Sequence, residues 1–271
     1  MTIIFHDYFP GQQKLTYYHS GSKIVPLIVA GPPRSGTRFV TNVLNKVPGV
    51  TINGEIPDPI MNSVVRLVKK CDRMYRSNQD ESWALNWDLT KRDYMFAVWA
   101  TLNKSRILKA DPECVFFGYK TPFHEKYFDF YNAFFHPVQP RYVCCVRSFP
   151  DHLLSVQARW PGRVLPYVAF RYVMSLRRLR SMKEKKPDQV LLFFLDDYKK
   201  IGNRYLSEKI FKPLGLEDVT SAIQKAEQGP VNTSEQLGCQ RKFRLSKNQE
   251  QLLRIYPRPL NEFNTLRHDF S

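Results

Sequence analysis

A glycine-rich turn near the start of the chain, GPPRSGT over residues 31–37, has the residue types of an anion-binding loop. An apolar run precedes the turn and a helical pattern follows it, so backbone N–H groups and the positive end of a helix would point at a bound anion. Gly31 and Gly36 keep the G-x-x-x-x-G spacing of nucleotide-triphosphate loops, but Thr37 and Arg38 stand where those loops need Lys and then Ser or Thr. The loop is therefore poorly suited to a magnesium triphosphate, although it can still hold a single phosphate.

A second group of anion donors follows a later apolar run. Arg147 comes directly after that run, Ser155 lies inside the following helical stretch, and Arg159 is four residues further on, on the same helical face. Taken alone, this pattern is more typical of a solvated helix face. In the first loop, Arg34 adds a guanidinium that can hold a phosphate through two hydrogen bonds. The sequence thus offers two separate groups of anion donors.

Together the two groups resemble the donor site of sulfotransferases that use 3′-phosphoadenosine 5′-phosphosulfate (PAPS). The segment PRSGT resembles their 5′-phosphosulfate loop, and the R-(x)7-S-(x)3-R arrangement resembles the 3′-phosphate site of the tyrosylprotein and Golgi-type members. The resemblance implies PAPS as the donor, 3′,5′-adenosine bisphosphate as the product and no metal. A donor with two separate phosphates also accounts for the missing lysine. The donor-binding residues that the resemblance implies are Pro33, Arg34, Ser35, Gly36, Thr37, Arg38, Arg147, Ser155 and Arg159.

Two further segments hold the catalytic residues that the resemblance implies, in addition to Arg34. FGYKTPFH, residues 117–124, is similar to the K-T-P segment of glycan and protein sulfotransferases, which puts Lys120 beside the transferring sulfuryl group. A fixed ammonium there would stabilise charge on the bridging oxygen. Glu55, in INGE, is the implied base for the acceptor hydroxyl, although tyrosylprotein members have G-E one position earlier. His124 is the alternative base, four residues past Lys120, where cytosolic small-molecule members place a His two residues past their Lys.

Continuous apolar runs predict the strands that must position these residues. Such runs are expected where a parallel sheet is buried on both faces, and their alternation with helical patterns indicates βαβ units. We therefore expect a three-layer α/β/α sandwich of P-loop type, with a central parallel sheet of four or five strands. The four runs span residues 23–31, 114–120, 141–147 and 189–198.

Helical patterns fill the intervals between these runs. Asp196 and Asp197 are assigned to capping the helix after the last run. We expect residues 1–271 to form a single domain, with a helical region on the acceptor side over about 59–110. Helices are predicted over residues 37–45, 59–74, 87–108 and 246–255, and from Asp151 onwards.

Composition limits the remaining function classes. The 41 basic and 25 acidic residues give a net charge of +16, which attracts anionic partners. No cysteine pair has C-x-x-C spacing, so zinc is not expected. No run approaches about 18 apolar residues, and the first residues lack a signal-peptide pattern. We therefore expect a cytoplasmic protein without a membrane span.

The sequence leads to one main functional hypothesis and three alternatives. The main one is sulfuryl transfer from PAPS to a hydroxyl, by in-line displacement without metal, with a carbohydrate as the acceptor. A tyrosine in a peptide is the alternative acceptor, because the Arg–Ser–Arg spacing fits it equally well. A P-loop kinase and a non-catalytic polyanion-binding protein are the alternatives from other classes. No nucleic-acid partner is expected, and the oligomeric state is left open.

Overall fold

A five-stranded sheet, in which every pairing is parallel, forms the centre of the protein. A computed structural model describes residues 25–77, 115–135, 139–216, 219–227 and 244–270. The strand order is β2-β3-β1-β4-β5, so β1 lies in the middle. The strands are β1 Val25–Ala30, β2 Val50–Asn53, β3 Phe116–Lys120, β4 Arg141–Val146 and β5 Val190–Phe194.

Burial explains why the strands are continuous apolar runs. All residues of β5, and all but the first residue of β1 and of β4, are buried, as expected when helices cover both faces of a sheet. In the strand register, Val29 lies opposite Lys120 and Ala30 lies opposite Cys144. The carboxyl ends of β1, β3 and β4 therefore meet at one edge of the sheet, where the candidate site residues follow them.

Helices form layers on the two faces of this sheet. The helices are α1 Thr37–Leu44, α2 Asp58–Ser77, α3 Phe128–Phe134, α4 Phe149–Arg159, α5 Leu165–Lys185, α6 Leu195–Ile201, α7 Asn203–Leu206, α8 Lys212–Leu214, α9 Val219–Glu227, α10 Lys247–Ile255 and α11 Arg258–Phe270. A 3₁₀ turn spans His124–Tyr127, and a π-helical turn spans Ser207–Phe211. Among the described helices, none combines the length and the apolar character needed to cross a bilayer.

Two neighbouring aromatic residues of β5 show that these layers lie on opposite faces. The Phe193 ring lies 6.5 Å from that of Phe39 on α1, whereas the Phe194 ring lies 6.1 Å from that of Phe263 on α11. Successive side chains of a strand point to opposite faces, so α1 and α11 cover different sides of the sheet. Helix α5 packs against both α4 and α11, so these three helices lie together on the face opposite α1. The expected three-layer α/β/α arrangement is confirmed.

The predicted elements differ from the observed ones in several places. The short strand β2 was not among the four apolar runs, and neither α5 nor α11 was predicted. The last run was expected to continue to residue 198, but β5 ends at Phe194 because a helix begins at Leu195. Helix α4 begins at Phe149, with Ser148 rather than Asp151 at its N-cap. The predicted helix over 87–108 lies outside the described residues, and a single domain over 1–271 stays a prediction.

The assignment of Asp196 and Asp197 to helix capping was wrong. No side chain caps the N-terminus of α6. Asp196 instead accepts a hydrogen bond of 2.6 Å from the backbone N–H of Ser148, which fixes the turn between β4 and α4. Asp197 forms an ion pair with Arg267, whose Nε lies 3.2 Å from its carboxylate, and this pair ties α11 to α6.

A glycine in the middle of the sheet provides the first testable prediction. A Cβ at Gly118 in β3 would lie 1.5 Å from the carbonyl oxygen of Leu27 in β1. Because two central strands would have to separate, we expect Gly118→Ala to lower the free energy of unfolding by at least about 3 kcal/mol. Gly162→Ala is the control, since a Cβ at that glycine would meet no atom within 4 Å. Equal urea midpoints for the two variants would contradict the strand packing.

Candidate active site

The loop between β1 and α1 has an unusual backbone. Gly31 and Gly36 have positive φ angles of 120° and 99°, and Arg34 adopts the left-handed region at φ 67°. A Cβ at Gly31 would lie 2.2 Å from the carbonyl oxygen of Cys145, so only glycine allows the loop to lie this close to β4. A left-handed arginine costs free energy and persists where the surrounding structure holds it, which is typical of functional sites.

Hydrogen bonds from the segment after β3 hold the first residue of this loop. The backbone N–H of Gly31 donates to Glu125 Oε2 at 3.3 Å, and its carbonyl accepts from the backbone N–H of Phe123 at 3.0 Å. The hydroxyl of Ser35 donates to the carbonyl of Pro32 at 2.5 Å. The loop is therefore tied at its first glycine and again near its end.

The N-terminus of α1 is well suited to an anion. Its N-cap residue is Gly36, which has no side chain to accept a hydrogen bond from the first turn, and that turn contains no acidic residue. The first N–H groups of a helix lack partners within the helix, and they attract negative charge. Helix α1 thus presents backbone donors at the position where the sequence predicted the 5′-phosphate loop.

Arg34 joins the two groups of anion donors. Its Nε donates a hydrogen bond of 3.1 Å to the hydroxyl of Ser155, although the two residues are 121 positions apart in the chain. Ser155 is buried, and so are most of the residues of α4 around it. The structure therefore brings together two groups that the sequence could only relate by family resemblance.

Arg147 directly follows β4. Its side chain is buried, one terminal nitrogen lies 3.1 Å from Asp151 Oδ2, and its Nε has no hydrogen-bond partner among the described residues. Buried donors without partners are rare and call for an explanation, which a bound anion would provide. The hydroxyl of Tyr172 donates to the carbonyl of Arg147 at 2.5 Å and fixes its backbone.

The remaining predicted donor residues differ in exposure. Thr37 is buried, and Pro33 and Gly36 are half-buried within the loop. Arg38 on α1 and Arg159 at the end of α4 are exposed.

Lys120 and Glu55 form an ion pair at the carboxyl edge of the sheet. The Lys120 side chain is 13% exposed and that of Glu55 is 54% exposed, so the carboxylate remains open to a ligand. Thr121 holds the two segments together, because its hydroxyl accepts from the backbone N–H of Ile56 at 3.0 Å and its own N–H donates to Val29 at 3.1 Å. Glu55, the predicted base for the acceptor hydroxyl, and Lys120, predicted to stabilise charge on the bridging oxygen, are therefore in direct contact.

His124, the alternative base, is enclosed in the protein. Its side chain has no exposed surface; Nδ1 lies 3.1 Å from the Tyr131 hydroxyl and Nε2 lies 3.4 Å from Asp58 Oδ1. Burial lowers the pKa of His124 to about 4, although the nearby Asp58 carboxylate acts in the opposite direction. The imidazole is therefore neutral near pH 7 and packs among aromatic rings.

Sequence reasoning missed two buried groups behind the loop. Glu125 accepts hydrogen bonds from Gly31 and from the hydroxyl of Ser175 on α5, and its burial raises the pKa of the carboxyl. His152 on α4 is buried, and burial together with the Arg147 charge lowers its pKa to about 3. Neither residue belongs to a distinctive sequence motif. Glu125, for example, is followed by Lys126, so the segment looks like an ordinary polar turn.

Comparisons with known proteins bear on the fold. No family model matches the sequence, and no curated protein matches it. The sulfotransferase domain of the olefin synthase from Synechococcus PCC 7002 aligns with a TM-score of 0.50 at 17% identity, over 83% of this chain and 87% of that one. Sulfotransferase STF1 from Mycobacterium tuberculosis H37Rv aligns with a TM-score of 0.43 at 14% identity, over 79% and 75% of the two chains. The first likeness confirms a sulfotransferase-like fold, as the sequence motifs implied.

The buried Glu125 carboxyl predicts a specific pH dependence of stability. Its pKa in the folded protein is raised above the ordinary value of 4.5, so the folded state binds this proton more tightly than the unfolded state does. The resulting stability is fully present below pH 4.5 and is lost as the pH rises toward the folded-state pKa, by about 1.4 kcal/mol for each pH unit crossed.

Glu125→Gln removes this titration and keeps the shape of the side chain. We expect the native protein to lose unfolding free energy relative to this variant as the pH rises above 4.5, in urea titrations from pH 4 to pH 8. Glu184→Gln, on the exposed face of α5, is the control and should follow the native curve. Parallel curves for the native protein and Glu125→Gln would show that the buried carboxyl does not behave in this way.

Proposed function

We propose that the protein is a sulfotransferase that moves a sulfuryl group from PAPS to a hydroxyl group of an acceptor. The contact between Arg34 and Ser155 is the observation that supports this most strongly, because it joins the two groups of anion donors. PAPS has a 5′-phosphosulfate and a separate 3′-phosphate, so it needs two adjacent anion sites. One group follows β1 and the other follows β4, its neighbour in the parallel sheet, which supports this proposal.

Each donor group is assigned to one end of the nucleotide. Backbone N–H groups of Ser35, Gly36 and Thr37 would hold the 5′-phosphate at the start of α1. Arg147 and Ser155 would hold the 3′-phosphate, with the buried Nε of Arg147 as an available donor. The half-buried Pro33 and the exposed Arg38 and Arg159 would flank these two positions.

Glu55 is the proposed base. Its carboxylate is half exposed beside Lys120, whereas His124 is enclosed and shares no surface with an acceptor. Glu55 takes the proton of the acceptor hydroxyl, whose oxygen forms the new bond to sulfur as the bond between sulfur and the phosphate oxygen breaks. Lys120 and Arg34 stabilise the charge that develops on this leaving oxygen. The displacement is in line and needs no metal ion.

The proposed acceptor is a carbohydrate hydroxyl, with a tyrosine in a peptide as the second candidate. Net charge +16 favours an anionic acceptor of either kind. A P-loop kinase is disfavoured because Thr37 and Arg38 replace the Lys and the hydroxyl residue that hold a magnesium triphosphate. A polyanion-binding protein without catalysis would need neither the buried side chain of Arg147 nor the ion pair between Lys120 and Glu55.

Ligand-induced stabilisation distinguishes these classes. We expect 3′,5′-adenosine bisphosphate to raise the melting temperature in the presence of EDTA, because it occupies both anion sites of the folded protein. ATP with magnesium should have the smaller effect. Preferential stabilisation by ATP with magnesium would favour a kinase, and binding of RNA that weakens steeply with salt, without a response to the bisphosphate, would favour a polyanion-binding protein.

Arg34→Ala tests the central donor residue. Removing one preorganised donor should cost at least about 2.7 kcal/mol of transition-state stabilisation, which is about a hundredfold in kcat. The measurement is the release of 3′,5′-adenosine bisphosphate from PAPS with a panel of glycans and acidic peptides. Arg254→Ala, on the exposed face of α10, is the control with the same change in charge. Near-native turnover by Arg34→Ala would contradict the assignment.

Glu55→Gln tests the choice of base. The loss of a general base should lower kcat at least about a hundredfold, while the affinity for the bisphosphate stays close to that of the native protein. His124→Gln, if it folds, should keep most of the activity because His124 does not reach the acceptor. The opposite ranking of the two variants would assign the proton transfer to His124.

A further inference from the structure

A cavity of about 290 Å³ lies between the phosphate loop and the helices α4 and α5. No step of the proposed sulfuryl transfer assigns it a role. Ligand pockets usually have volumes of about 300 to 1,000 Å³, so this cavity has room for a group the size of one ring. It is lined by Pro33, Phe123, His152, Val156, Trp160, Arg163, Tyr167, Val168 and Arg171.

The cavity adjoins the phosphate loop and the segment that follows Lys120. Pro33 directly precedes Arg34 in the phosphate loop, and Phe123 follows Lys120 by three residues. The hydrogen bond from Phe123 N–H to the carbonyl of Gly31 fixes these two walls relative to each other at 3.0 Å. A group in the cavity therefore lies next to the loop that would hold the donor.

Two arginines give this cavity its electrostatic character. The guanidinium carbon of Arg171 lies 4.3 Å from the centre of the Phe123 ring, and that of Arg163 lies 5.2 Å from both the Trp160 and Tyr167 rings. No lining residue is acidic, and neither arginine forms an ion pair within the part of the chain that is described. A guanidinium over an aromatic ring can still use its N–H edge for a bidentate contact with a carboxylate. In Arg163 one terminal nitrogen also donates a hydrogen bond of 3.4 Å to the hydroxyl of Tyr167, which holds this guanidinium in place.

The inner end of the cavity differs from its mouth. His152, Val156 and Val168 are buried at the inner end, and the lowered pKa of His152 keeps that end uncharged near neutral pH. Trp160 and Tyr167 are 38% and 43% exposed, which places them at the mouth. A ligand that fits has an uncharged side toward this inner end and an anionic group against the arginines.

We propose that this cavity is the acceptor site and that it takes a sugar ring with its own carboxylate, such as a uronic acid within a glycan. This inference rests on the proposed sulfuryl transfer and adds the class of acceptor. Arg171, on the wall, and Arg163, at the mouth, bind the carboxylate and thereby orient the ring, with its hydroxyl toward the phosphate loop.

The position of the two charges favours an acidic sugar over a tyrosine in an acidic peptide. In a tyrosine acceptor the ring is neutral, and the carboxylates belong to neighbouring residues that remain outside a cavity of this size. Here Arg171 belongs to the wall of the cavity, so a carboxylate that reaches it is part of the ring that enters. The aromatic side chains at the mouth can also pack against the apolar face of a sugar.

Binding to a complex that cannot turn over tests this proposal without relying on catalysis. Chondroitin tetrasaccharide is titrated into the protein saturated with 3′,5′-adenosine bisphosphate and followed by calorimetry, in parallel with the same tetrasaccharide after reduction of its carboxylates to hydroxymethyl groups. We expect the native protein to bind the carboxylate form at least about tenfold more tightly, because hydrogen bonds to charged groups contribute this much.

Three variants complete the design. Arg171→Met and Arg163→Met should each abolish the tenfold preference, whereas Arg254→Met should retain it, since Arg254 does not line the cavity. Arg163 is exposed, so its variant tests the proposal even if Arg171→Met does not fold. In turnover assays with PAPS, Arg171→Met should raise the KM for the tetrasaccharide about tenfold and leave the KM for PAPS unchanged.

The possible results separate this inference from the proposed function. Failure of the bisphosphate to bind would contradict the proposed function itself. Normal bisphosphate binding with equal affinity for the two tetrasaccharides, or with Arg171→Met and Arg163→Met indistinguishable from Arg254→Met, would overturn the inference alone. Sulfation of an acidic tyrosine peptide, together with no binding of the tetrasaccharide, would also overturn the inference alone.

Discussion

The close approach of the phosphate loop to β4 is the constraint on which the site depends. Gly31 lies against the backbone of Cys145 with no room for a side chain, and the segment after β3 binds both the N–H and the carbonyl of this residue. The loop therefore lies directly over the carboxyl ends of the central strands. From this position Arg34, in its left-handed conformation, reaches Ser155 on α4.

Charged groups at this edge have partners within the protein. Lys120 pairs with Glu55, and Arg147 pairs with Asp151, which in turn lies 3.4 Å from Lys199. Such pairs hold the cations in place, so the proposed sulfuryl transfer would need little reorganisation of the protein. The pairing also explains how a protein with a large positive charge keeps several cations close together at one edge of its sheet.

Much of the fold could be predicted because its core strands are continuous apolar runs. β1, β3 and β4 are almost entirely buried, and their runs are unambiguous. β2 was not predicted because it has only four residues. Helix α5 was not predicted because its N-cap residue, Val164, has no side chain that can cap a helix, and because arginines stand between its apolar residues in the sequence. The end of β5 was misplaced because the apolar letters continue through Leu195, which already belongs to a helix.

The site could be predicted only in part, for a different reason. Motifs identified the loop, the Lys120 segment and the Arg147 group, because each is local in sequence. The contacts between them depend on the sheet order, which places β4 next to β1, and no local pattern contains that information. Glu125 and His152 are single polar residues whose importance comes only from burial behind the loop. The cavity between the loop, α4 and α5 likewise appears only when α5 is in place.

The most direct test of the account is a crystal structure of the protein with 3′,5′-adenosine bisphosphate bound. We expect the 5′-phosphate at the backbone of Ser35, Gly36 and Thr37, and the 3′-phosphate between Arg147 and Ser155. We also expect the cavity beside Pro33 and Phe123 to stay free for the acceptor. A nucleotide bound elsewhere, or bound with its two phosphates outside these two groups, would contradict the central claim that the Arg34–Ser155 contact marks a two-phosphate donor site.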